Sequence, residues 1–107
     1  MAKVLFVVTG ASYWTLADGT RHPTGYWAEE FAAPYSELTK AGHQIVVATP
    51  GGVVPHVDVM SLRPAMAGSA EIALELEEIL RSAEELRHPI ELADARAVYA
   101  GLSVRKN

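Results

Sequence analysis

Two short runs constrain this chain more than anything else in it. "KVLFVVT" (Lys3–Thr9) and "HQIVVATP" (His43–Pro50) are continuous β-branched and aliphatic stretches without polar alternation. A strand that shows one face to water alternates, whereas a continuous apolar run reads as a strand buried on both faces, the pattern of a parallel sheet. Between the two, "PTGYWAEEFAAPYSEL" (Pro23–Leu38) begins a helical segment that runs to about Lys40 and is closed by Gly42. Strand, helix, strand with glycine-terminated joints is a βαβ unit. It predicts an α/β fold with a parallel sheet and a right-handed crossover.

The rest of the chain is arranged around that unit. "ASYWTLADGTRHP" (Ala11–Pro23) carries turn chemistry at Asp18-Gly19 and His22-Pro23 and reads as a loop. A loop of that length between a first strand and a first helix is uncommon and often functional. Pro50–Pro64 is too rich in glycine and proline for a helix, leaving a loop or a short hairpin. From Ser69 to Leu86, Ile72, Leu76, Ile79, Leu80 and Leu86 recur at helical spacing with glutamates opposite, an amphipathic helix. A last β-like run, "AVYAGLSV", covers Ala97–Val104.

Composition narrows the function classes. With 107 residues the chain holds at most one domain. A net charge of -4 and the absence of a Lys/Arg cluster point away from nucleic acid. No apolar run approaches the roughly 20 residues that span a bilayer, and the N-terminus lacks a signal-peptide pattern, so a cytoplasmic protein is expected. There are no cysteines. That removes disulfides, thiolate metal ligands and a cysteine nucleophile from this chain.

Few residues gather into recognisable sites. Gly10 follows the first strand, but "TGASYW" has neither spacing of a phosphate-binding glycine loop. His22, His43, His56 and His88 are scattered, none paired at helical spacing, so no zinc pattern exists and no metal is expected. Tyr13, Trp14, Tyr26 and Trp27 flank the first loop, as core or as the wall of a pocket. His22 lies in the same loop, and loops held by a scaffold often carry function.

Glu29 and Glu30 need separate treatment. At about 100° per residue, Trp27, Phe31, Pro34 and Leu38 fall in one stripe, the face expected against the sheet. Glu29 projects about 160° from Trp27 and Glu30 only about 60°. The spacing thus puts Glu29 in solvent and Glu30 on the flank of the buried face. Pro34 also removes the helical partner of the Glu30 carbonyl, so a bend is expected there. A carboxylate on an apolar flank, near a bend and a strand end, is a candidate for proton chemistry, with a boundary residue bonded to backbone as the alternative.

Taken together these residues resemble the DJ-1/PfpI superfamily, class I glutamine amidotransferase-like proteins, and within it the branch of Hsp31-type glyoxalases and chaperones. "KVLFVVT" with its long loop, "TGYWAEEFAAPYSELTKAGHQIVVATPGG" and "PGGVVPHVDVMS" carry the resemblance, which covers most of residues 3–64. It implies a flavodoxin-like parallel sheet sandwiched by helices. Carried over by position, the family's acid falls on Glu30. There it implies a carboxyl group beside a cysteine nucleophile, shuttling a proton in glyoxalase III-like conversion of an α-oxoaldehyde without metal, glutathione or other cofactor. Tyr13, Trp14, His22 and Tyr26 become substrate-pocket candidates.

The resemblance breaks where the strand like "VYAGLSV" should run into a glycine-rich loop, and the cysteine–histidine elbow is absent. Residues 1–107 thus read as the N-terminal half of a single domain. The expectation is a companion polypeptide that carries the glycine loop and the cysteine–histidine elbow, completes the sheet, and forms a higher oligomer, a dimer of the completed domain. Three readings compete: part of a two-chain enzyme acting on a small carbonyl substrate, with amidase or hydratase chemistry as variants; a chaperone-like or regulatory member with a vestigial site; and a stand-alone small binding domain.

Overall fold

The computed structural model describes residues 2–95 of the chain. In chain order its strands and first helix are β1 (Lys3–Val7), β2 (Tyr13–Thr15), β3 (Arg21–Pro23), α1 (Ala28–Lys40) and β4 (Gln44–Thr49). They are followed by α2 (Pro64–Ala67), α3 (Ala70–Ser82) and β5 (Ile90–Glu91). β1, β4 and β5 form one sheet in the order β1-β4-β5, parallel throughout, with Lys3 opposite Gln44 and Val7 opposite Ala48. The fold is α/β, a three-stranded parallel sheet packed against helices. The strand expected over Ala97–Val104 lies outside the described residues.

The register decides which strand residues enter the core. Val4 stands opposite Ile45 and Phe6 opposite Val47, and these residues with Val8 occupy one face of the sheet. On that face Ala28, Phe31 and Ala32 of α1 and Ala73, Leu76 and Leu80 of α3 close a single core. Leu5, Val7 and Val46 alternate to the other face, where Leu5 and Val46 are half-buried and Val7 is 59% exposed. Among the described residues, one face of this strongly apolar parallel sheet is covered by helices and the other only in part.

Several expectations are corrected in detail. The first loop contains an antiparallel hairpin, with Trp14 opposite His22 and Thr15 opposite Arg21. Its turn closes through Leu16 and Thr20, and Asp18 Oδ1 accepts from both the backbone N–H and the hydroxyl of Thr20. Gly19 takes a positive φ of 86° at that turn, a conformation that costs glycine little. The second amphipathic segment stops as a helix at Ser82 rather than Leu86. Ser82 Oγ and the Arg87 guanidinium take the carbonyls of Ile79 and Arg81, and a 3-10 turn (Glu84–Arg87) follows, in which Leu86 is buried. Ser69 caps the start of α3, its hydroxyl accepting from Ile72 N–H.

The buried face of α1 is rotated from the expected stripe. Ala28, Phe31 and Ala32 are buried and Tyr35 is half-buried, while Pro34 is exposed. Small alanines let the helix backbone approach the sheet closely, so they mark the contact face although their apolar signal is weak. Helix α1 also continues through Pro34 as one element of 13 residues.

Candidate functional site

Parallel α/β sheets place ligands in the crevice outside the carboxyl ends of their strands, where loops diverge towards the helices. In this chain that position holds a cavity of about 590 Å³. The end of β1 and the residues after it, Val7, Val8 and Thr9, form one side. Gly25, Tyr26, Trp27, Glu30 and Pro34 form the other, and Phe6 and Phe31 also line the cavity. The Phe31 ring meets Phe6 edge-on at 5.4 Å and Tyr26 at 5.8 Å. Its lining is largely apolar and aromatic, and among the described residues Glu30 is the one charged residue in it.

The two glutamates differ, but not through burial. With the helix face rotated, both are exposed, which corrects the expectation that Glu30 is partly buried. Glu30 lines the cavity and Glu29 does not. Both stand in the first turn of α1, where the helix dipole favours a carboxylate.

The start of α1 is held from a distance. Trp27 precedes the helix and has no side-chain oxygen to cap it. Instead Ser61 Oγ, 1% exposed, accepts from Ala28 N–H at 2.9 Å and donates to the Asp58 carbonyl at 2.6 Å. Tyr26 is bracketed in the same way: its N–H donates to His56 O at 2.9 Å, and Asp58 N–H donates to Tyr26 O at 2.8 Å. This one-residue parallel bridge, Tyr26 with Val57, fastens the loop after β4 to the approach to α1. Asp58 Oδ1 in turn accepts from Met60 N–H, stabilising the turn that carries Ser61. Burial pushes the Tyr26 phenol above its ordinary value.

Of the residues singled out from sequence, Glu30 and Tyr26 come together at the cavity. Tyr13, Trp14 and His22 lie on the exposed β2–β3 hairpin and are not among the lining residues. Tyr13 instead stacks under the Arg21 guanidinium, 4.3 Å from its ring centroid. Sequence reasoning did not single out Ser61, Gly25 or the strand-end residues Val8 and Thr9. The rule that crevices form at strand ends points to the last two; nothing local in the sequence marks Ser61.

Among the described residues no group of three or more His, Cys, Asp or Glu is placed to hold a metal ion. No helix there is long and apolar enough to cross a membrane. No protein-family model matches the chain, and no curated protein matches it.

Proposed function

We propose that this chain contributes the acid/base carboxylate, Glu30, to a DJ-1/PfpI-like site that converts α-oxoaldehydes to 2-hydroxy acids. The observation that carries the reading is Glu30 lining a largely apolar cavity beside the carboxyl end of β1. A thiolate adds to the aldehyde carbon and forms a hemithioacetal. Glu30 takes the proton from that carbon and returns one to the neighbouring carbonyl carbon, through an enediol, leaving a thioester. Water then hydrolyses the thioester, releasing the 2-hydroxy acid and regenerating the thiol. Overall one water is consumed, and neither metal, glutathione nor another cofactor takes part.

The sequence has no cysteine; in this reading the nucleophile comes from a companion polypeptide, a separate product or the other piece of a nicked precursor. That chain brings the glycine-rich loop and the cysteine–histidine elbow and completes a flavodoxin-like domain, which dimerises. Among the described residues the sheet face at Leu5, Val7 and Val46 is less covered, which supports a further layer on it, because parallel sheets are normally covered on both sides. The test is to purify the tagged chain with whatever it binds and follow methylglyoxal loss without added glutathione. The reading expects turnover that a thiol-blocking reagent abolishes. It fails if the assembly carries no cysteine.

A second reading, a chaperone-like member with a vestigial site, is favoured by exposed Trp14, Leu16, Val53, Val54 and Val59. In that case suppression of client aggregation is indifferent to thiol blocking and to Glu30.

A further inference from the structure

We propose that Ser61 is a positioning residue for Glu30, fixing from the loop after β4 the direction in which α1 presents its carboxylate to the cavity. This rests on the reading of Glu30 as the acid/base. The first N–H of α1 has no intrahelical partner. The preceding residue, Trp27, offers no side-chain oxygen, and Ser61, 33 residues after Ala28, supplies it.

Ser61 is fully engaged: its oxygen accepts from Ala28 and its hydroxyl donates to Asp58 O. The same loop holds Tyr26 through both of that residue's backbone groups. Tyr26, which lines the cavity, and Ala28, two residues before Glu30, are thus tied to one loop. Gly25 lets that loop come close, since a Cβ there would overlap the His56 carbonyl. A helix capped by its own preceding residue would lack this tie between its first N–H and the loop after β4. Capping from the loop sets its angle relative to the end of β1. Reacting groups lose on the order of 100-fold in rate when misplaced by about 1 Å, so this angle bears directly on turnover.

The experiment compares wild type, Ser61→Ala, Ser61→Thr and Asp58→Ala in the purified assembly with methylglyoxal. Ser61→Ala should lower kcat between about 10- and 100-fold with KM little changed. Ser61→Thr keeps the hydroxyl and should recover most of the loss. Asp58→Ala, which only loosens the turn carrying Ser61, should show a smaller fall and serves if Ser61→Ala does not fold. An unchanged kcat in either alanine variant, or a loss that Ser61→Thr does not recover, overturns the proposal. A readout on the full chain alone separates this from failure of the proposed reaction. If the wild type turns over no α-oxoaldehyde, the reaction is wrong and Ser61 is judged by NMR. The Glu30 carboxyl carbon resonance should move in Ser61→Ala and return in Ser61→Thr; an unmoved resonance overturns the positioning role.

Discussion

At the scale of single residues, the tightest constraint lies beside the site rather than in it. Gly25 passes so close to the His56 carbonyl that any side chain would collide with backbone atoms of His56 and Val57. Backbone cannot yield as a flexible side chain does, so relief requires separating the loop from the start of α1. Gly25→Ala should therefore destabilise the fold by about 1–3 kcal/mol, read as a lowered midpoint in urea. An unchanged midpoint would show that the Tyr26–Val57 bridge is dispensable. Glu30 is the opposite case. Its side chain is exposed, so replacing it should change chemistry and leave stability almost untouched.

Helices and strands show which signals a sequence carries at the scale of elements. β1 and β4 were legible because a continuous aliphatic run has few other uses, and α1 because it joins them and ends at Gly42. The β2–β3 hairpin was not, since all six of its strand residues are exposed and show no apolar alternation. Two-residue β5 is too short to leave any pattern. The rotation of α1 has a different cause. Trp27 outweighs Ala28 and Ala32 as a hydrophobic signal, yet close approach to the sheet is made by the small residues. The site inherited that error: Glu30, expected on the flank of the buried face, is exposed, although it lines the cavity beside the end of β1.

Packing between elements makes two further predictions. Leu76 of α3 is 6% exposed in the core, whereas Leu74 is 66% exposed. Leu76→Ala should cost about 2–5 kcal/mol in urea unfolding, and Leu74→Ala should stay within about 0.5 kcal/mol of wild type. Equal effects would contradict the assigned face. The second concerns the link from α1 to the turn after α3, where the Tyr35 hydroxyl donates to Glu85 Oε2 at 2.8 Å. Burial first, then this bond and the nearby negative charge, push the Tyr35 phenol up from 10.0 to about 12. The folded state therefore favours the protonated phenol. Its contribution is fully present below pH 10 and is lost as the pH rises towards about 12. Tyr35→Phe should flatten that part of the stability–pH profile; a profile identical to wild type would remove Tyr35 as its source.

On the scale of the whole molecule, the described residues form a layer and a half. Two helices cover one sheet face, the other face is partly bare, and a cavity opens at the carboxyl end of β1. A carboxylate is in place there, and the 107 residues include no cysteine. We propose one reading of these facts, that Glu30 rather than its neighbour Glu29 serves a thiol brought by a companion. The most direct measurement is methylglyoxal turnover by the purified assembly carrying Glu30→Gln or Glu29→Gln, with companion binding checked in each. The account predicts that Glu30→Gln lowers kcat by at least about 100-fold while the companion stays bound, and that Glu29→Gln leaves kcat unchanged. Full turnover by Glu30→Gln, or an equal loss in both variants, would contradict it.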